Sequence, residues 1–295
     1  MTATVLRRFS LGVRKHSIAY LFIAVPVASS VVFLLIPMLT SLWWSFNEYT
    51  GLQPPQFVGL ANYIRLLTDD PQFLHALRNT TIFVLLGMSI GPTLGLVTAL
   101  MLNQQVRLRA LFRTAYFLPV MTSMVVVAVI WKMLYNQNGL FNTVLAALGQ
   151  GPIGWLSDPR WSLLSIVFAS VWQGFGFETV VFLAALQGIP KEYYEAASID
   201  GASAWQRFWS ITLPCLRPII LFAYIIGIIG SYQVFDQVFV MTSGGPVYST
   251  TSIVYYLFNR FQNLQLGRAS AIAYILFVIL LIFSYLQWRF FTERD

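Results

Sequence analysis

Residues 188–217 read GIPKEYYEAASIDGASAWQRFWSITLPCLR, a polar and aromatic stretch between apolar runs at 162–187 and 218–241. Each run exceeds the roughly 20 helical residues that cross a hydrocarbon core of about 30 Å, so both read as membrane helices and the stretch between them as a loop at one membrane face. Lys191–Ile199 carries helix-forming Glu, Tyr and Ala, and Asp200-Gly201 supplies a turn whose glycine tolerates positive φ. A second short helix follows, with Trp205, Phe208, Trp209 and Thr212 at i, i+3, i+4 and i+7 on one face and Gln206, Arg207 and Ser210 elsewhere. Pro214 is expected to end this helix before the next span. The segment thus predicts a helix-turn-helix hairpin with an aromatic face.

Three large aromatic side chains at about 150 to 250 Å² each would gain roughly 11 to 19 kcal/mol gross on burial, an upper bound before ordering costs. Such a face does not stay in water. It folds back on its own spans, lies in the lipid interface, or docks as a knob into the groove of a soluble partner.

The remaining chain supplies the setting. Of 295 residues, 57% are hydrophobic and 10% charged, and the mean hydropathy is +0.69, outside the range of water-soluble domains. Six apolar windows are long enough to span, at 18–44, 79–102, 114–135, 162–187, 218–241 and 269–291. The first is too long for a signal-peptide core and reads as a membrane helix, although Arg7, Arg8, Arg14 and Lys15 precede it. Six crossings place the N-terminal tail, 103–113, 188–217 and the C-terminus on one side. That side holds Arg7, Arg8, Arg14, Lys15, Arg107, Arg109, Arg113, Lys191, Arg207, Arg217, Arg289 and Arg294, twelve of the 18 Lys and Arg residues. The positive-inside rule therefore puts both termini in the cytoplasm. The net charge of +7 is a topology signal and not a nucleic-acid footprint, because the basic residues punctuate apolar stretches.

Gly87, Gly91 and Gly95 repeat at four-residue spacing and predict a face that another helix can approach closely, with Pro92 inviting a kink; Gly174 with Gly176 and Gly227 with Gly230 thin two further helices. Cys215 is the only cysteine and reads as a packing residue. His16 and His75 have no neighbouring ligand set, so no metal is expected. Neither a nucleophile with its base nor a phosphate-cradling glycine loop is present, so ATP hydrolysis is not expected from this chain.

Glu195-Ala196-Ala197, three residues, Gly201, nine residues, then Ile211, Thr212, Leu213 and Pro214 resembles the EAA signature of permease subunits in binding-protein-dependent ABC importers. The resemblance implies an all-α, polytopic type I importer permease fold with six transmembrane helices. It further implies that 188–217 is a coupling loop on a separate ATPase subunit. Carried over by position, the coupling residues are Glu195, Ala196, Ala197, Asp200 and Gly201, with Ile211, Leu213 and Pro214 setting the exit and Trp205, Phe208 and Trp209 forming the knob. The implied partners are a second, homologous permease, two ATPase subunits that use ATP and Mg, an extracytoplasmic solute-binding protein and membrane lipid, in the cytoplasmic membrane of a bacterium. No cofactor is implied in this chain.

Thr242-Ser243-Gly244-Gly245-Pro246, followed by Thr250 and Thr251, resembles the TxGGP loop of the maltose and glycerol-phosphate type of importer, and 189–203 points to the same carbohydrate branch. The likeness covers residues 75–290 as the transmembrane core; 1–74 would be a cytoplasmic tail, an extra first helix and an external loop. In that family Gly244, Gly245 and Pro246 would face the external gate. Polar groups inside a bilayer are costly, so Trp172, Gln173, Phe175 and Glu178 on the fourth span and Tyr232, Gln233 and Asp236 on the fifth are the candidate solute pathway. Gln233 and Asp236, three apart, are expected to share one face, with Tyr232 four before Asp236. Glu178 and Asp236 near the external ends, in water or at subunit contacts, is the other reading. Lys132 and Arg289 are expected to snorkel from helix ends. The solutes implied are a disaccharide, glycerol 3-phosphate or a glycerophosphodiester. An ion-driven secondary transporter and a membrane enzyme are the rival classes; the first has no need of a cytoplasmic aromatic hairpin, and the second lacks a reactive constellation.

Overall fold

Helix α4, Pro71–Asn103, starts where its sequence dictates: Asp70 accepts the Phe73 amide at 3.2 Å, and Pro71 occupies the first turn, where no backbone donor is missed. The computed structural model describes residues 17–104 and 109–292. Arg7, Arg8, Arg14, Lys15, His16, Arg107 and Arg294 lie outside them. Before α4 come α1 (Ser17–Ser30), a π-helical turn (Val31–Leu35), α2 (Ile36–Ser45), the antiparallel pair β1 (Asn47–Glu48) and β2 (Gln56–Phe57), and α3 (Ala61–Thr68). After it come α5 (Arg109–Met121), α6 (Met124–Leu134), α7 (Leu140–Ala147), α8 (Ser162–Gln187), α9 (Lys191–Ile199) and α10 (Ala204–Arg207). A second π turn (Phe208–Thr212), α11 (Leu213–Tyr232), α12 (Asp236–Met241), α13 (Ile253–Gln262) and α14 (Leu266–Thr292) complete the described chain.

Among the described residues, five helical stretches are long and apolar enough to cross a membrane: Phe22–Ser45, Pro71–Asn103, Ser162–Gln187, Ala204–Met241, which is interrupted at residues 233–235, and Leu266–Arg289. The third expected span differs. It consists of Thr114–Met121 and Met124–Leu134, bent by 106°, and makes a sixth crossing only if the bent pair counts as one. Ser123, with φ −55° and ψ 135°, is extended at the break, which hydropathy cannot register because both halves are apolar.

Pro214 does not end its helix. The π turn lets Leu213 N–H bond to Phe208 O, five residues back, and Pro214 then enters the first turn of α11, where its absent N–H costs little. The chain uses the same device once more: Ile36 N–H bonds to Val31 O immediately before Pro37. A bulge ahead of a proline thus keeps two spans continuous.

The α4–α8 pair forms the centre. A Cβ at Gly95 would stand 2.7 Å from Glu178 Cβ and 3.2 Å from Thr179 N, and one at Gly91 would stand 3.1 Å from Glu178 Oε2. Gly87 faces open space, so two of the three glycines in the stripe make the close approach. Pro92 lies inside α4, which runs on to Asn103. A Cβ at Gly176 would stand 2.0 Å from Tyr116 O, where α5 crosses α8, while Gly174 meets nothing within 4 Å. The first crossing lies outside this centre, with α2 along α14 and Tyr274 OH donating to Met38 O at 2.5 Å.

Candidate functional site

At one end of the bundle, Ile189, Leu216, Leu102, Phe182 and Leu186 form a buried apolar cluster, against which Tyr194, Ile211 and Ile219 pack. This cluster fixes the root of the α9–α10 hairpin to the ends of α4 and α8. Two side-chain bonds brace the hairpin above the root: Tyr194 OH and Thr212 Oγ1 lie 2.9 Å apart, and Arg207 Nη1 donates to Ser198 Oγ at 2.9 Å. Gly201 adopts φ +75° between the helices, as the Asp-Gly turn predicts. Ser203 and Gln206 close a capping box at the start of α10.

The braced hairpin presents a rim. Glu195, Ala196, Asp200 and Gly201 are exposed, Ala197 is half-buried, and Ile199 at the tip is 88% exposed. Trp205, Phe208 and Trp209 cluster with ring centroids 5.4 to 6.0 Å apart, and Trp205 and Trp209 remain exposed. Thr212 is not on that face: the π turn inserts one residue, about 100° of rotation, and Thr212 is buried on Tyr194. Ile211 and Leu213 are half-buried and Pro214 is exposed where α11 begins.

The seven pathway residues do not converge on one surface of this chain. Trp172 packs edge-on to Trp131 at 5.6 Å, and Phe175 edge-on to Tyr116 at 5.6 Å. Both line a cavity of about 320 Å³ between α4 and α8 whose other walls are Leu, Ile, Val and Phe side chains. Gln173 Nε2 donates to Thr122 O at 3.5 Å, so its amide meets a carbonyl freed at the α5–α6 break. Glu178 is not at an external end; it lies in the α4–α8 seam over Gly91, and its Oε2 is buried with no partner among the described residues. The shared face expected for Gln233 and Asp236 is absent, because α11 stops at Tyr232 and α12 starts at Asp236. Tyr232 is buried against Phe283, while Gln233 and Asp236 are exposed at that break. Lys132 Nζ donates to Val240 O at 3.0 Å.

At the opposite end from the hairpin, the loop after α12 is held by hydroxyls. Thr250 Oγ1 donates to Gly245 O at 2.7 Å and Thr251 Oγ1 to Gly244 O at 2.9 Å, and Gly245-Pro246 is a cis peptide. Asn79 Nδ2 reaches from α4 to Tyr248 O at 2.7 Å and Thr251 O at 3.2 Å, and Thr80 Oγ1 accepts the Ile253 amide at 2.9 Å. Sequence reading assigns no role to Asn79 and Thr80; a polar pair at the start of an apolar span was the available signal. Gly244 has φ +79°, and a Cβ there would stand 2.6 Å from the Tyr255 ring and 2.8 Å from Thr251 Oγ1. Gly244→Ala is expected to cost about 2 kcal/mol or more through left-handed strain and overpacking, read as a lowered thermal midpoint of the purified complex. Beside the loop, Arg260 Nη2 pairs with Asp70 Oδ2 at 3.2 Å, and Tyr256 OH donates to the same oxygen at 2.5 Å. Burial first, and then the Asp70 carboxylate, push the Tyr256 hydroxyl up to about 12, so it remains a neutral donor.

Residues 91–294 match the family described as binding-protein-dependent transport system inner membrane component. The chain belongs to this family. The permease is 38% identical over 283 residues to the lactose transport system permease protein LacF of Rhizobium radiobacter, covering 93% of this chain and 94% of that one. It is also 38% identical over 276 residues to the trehalose/maltose transport system permease protein MalF of Thermococcus litoralis, covering 93% of each. Its fold matches a solved chain of a bacterial ABC transporter involved in the import of the acidic polysaccharide alginate, with a TM-score of 0.87 at 24% identity, covering 98% of this chain and 99% of that one. The permease is therefore a multi-pass inner-membrane subunit of an ATP-driven importer, and hydrolysis resides in a separate ATPase. Neither an ion-driven transporter nor an enzyme is favoured by these relatives. Among the described residues, no group of three or more His, Cys, Asp or Glu side chains could hold a metal.

Proposed function

We propose that this permease carries a neutral saccharide across the membrane, paired with a second permease, with two ATPase subunits below and a solute-binding protein outside. Residues 75–290 form the translocating core, both termini lie in the cytoplasm, the α9–α10 hairpin seats in the ATPase, and the loop at Gly244, Gly245 and Pro246 faces the external gate. The observation that carries this reading is the hairpin itself: its rim of Glu195, Ala196, Asp200 and Gly201 is exposed while its root is locked into the bundle through Ile189, Ile211 and Leu216. A rigid lever with an uncovered end suits the transfer of a partner's closure into α8 and α11, and so a shift between inward-open and outward-open states. The solute reading is supported by the lactose and trehalose/maltose names of the relatives.

The test is uptake of labelled lactose, trehalose, maltose and glycerol 3-phosphate by proteoliposomes holding both permeases and the ATPase, with binding protein added outside. Uptake that needs both ATP and binding protein is expected. Full uptake driven by an ion gradient without nucleotide would contradict the importer reading, and transport of phosphorylated solutes alone would contradict the saccharide reading.

A further inference from the structure

We infer that the polar cavity beside the glycine loop is an external saccharide subsite, at which the solute first touches this permease. The inference rests on the saccharide reading above. The cavity holds about 530 Å³ between the α4 start, residues 243–251 and α13, a size that admits a small sugar. Its charge is already balanced. Arg260 is its charged lining residue, and that guanidinium is committed to Asp70, Tyr256 and Gln265 Oε1. Neither an anion nor a cation finds an uncompensated partner there.

What the cavity offers is neutral hydrogen-bonding capacity. The side-chain amides of Gln72, Asn259 and Asn263 and the hydroxyls of Tyr248 and Tyr255 line it and make no hydrogen bond to the described residues. Each amide presents donors and an acceptor together, which matches the paired donor and acceptor character of sugar hydroxyls. Tyr248 is 50% exposed, and its ring is an apolar plate on which the C–H face of a pyranose can stack. Holding that ring out is costly: Ser243, Val247 and Tyr248 all take positive φ, which for the β-branched Val247 is a genuine outlier. Asn79 and Thr251 clamp this conformation from below. Asn263 also lines a neighbouring polar cavity of about 430 Å³, so the surface extends beyond one sugar unit.

The experiment uses right-side-out vesicles containing the assembled permeases and ATPase, with the binding protein washed away. In a Cys215→Ser background, Val247→Cys at the cavity mouth is labelled with an impermeant maleimide in the presence of saturating lactose, trehalose or maltose. The saccharide that the complex transports is expected to slow labelling at least ~3-fold, and the Asn259→Ala, Asn263→Ala double variant is expected to abolish that protection. If a saccharide is transported but leaves the labelling rate unchanged, or protects the double variant equally well, the subsite is overturned and the saccharide reading stands. If none of the three is transported when binding protein is restored, the saccharide reading falls and the subsite with it.

Discussion

Gly201→Asp is expected to abolish coupled uptake, by at least about tenfold, while the permease still inserts and assembles to within twofold of its normal amount. Gly201 takes φ +75°, but a Cβ there meets nothing within 4 Å. Asp is among the residues that best tolerate the left-handed region, so the cost to folding is about 1 kcal/mol. The damage therefore falls on whatever the exposed turn touches. A carboxylate added beside Asp200 puts a second negative charge and new bulk on the rim that the ATPase is proposed to grip. The measurement pairs uptake with ATPase activity in the same proteoliposomes: hydrolysis should persist at a basal rate and lose its stimulation by loaded binding protein. Normal uptake by Gly201→Asp would contradict the docking role of the hairpin.

The second large effect is structural and comes with an internal comparison. Gly176→Ala is expected to destabilise the bundle by roughly 1–3 kcal/mol or more, because its new Cβ would stand 2.0 Å from Tyr116 O, and a backbone carbonyl cannot rotate away as a side chain does. The gain in helix propensity, about 1 kcal/mol, is too small to offset this. Gly174→Ala, two residues away, has free space and is expected to be neutral or slightly stabilising. Thermal unfolding of the detergent-solubilised complex should separate the two by several degrees. Equal behaviour would mean that α5 does not cross α8 where it is placed.

This pair also marks what the sequence can and cannot tell. Gly174 and Gly176 look alike on paper, and only the path of α5 distinguishes them. The spans were legible because a bilayer demands long apolar helices, and the hairpin was legible because Asp200-Gly201 is a turn with a mechanism. The π turns were not, since periodicity assumes 3.6 residues per turn throughout; that assumption misplaced Thr212 and made Pro214 a stop. The break at Thr122 and Ser123 and the end of α11 at Tyr232 put a few polar residues inside windows whose average stays strongly apolar, so hydropathy passed over both and the expected face of Gln233 and Asp236 was lost with the second. Glu178 could be placed from the sequence either in the solute pathway or at an external end, because a lone acid in an apolar span fits both; the seam position over Gly91 needs the path of α4. The glycines opposite it, Gly91 and Gly95, were visible in the sequence, but their pairing with α8 is a tertiary fact.

The most direct test of the central claim places a photo-crosslinking amino acid at Ile199, the exposed tip of α9, in the assembled importer within native membranes. The account predicts an adduct between this permease and the ATPase subunit, one that Gly201→Asp diminishes. An adduct only to lipid, in a membrane where the ATPase is present and bound, would contradict it.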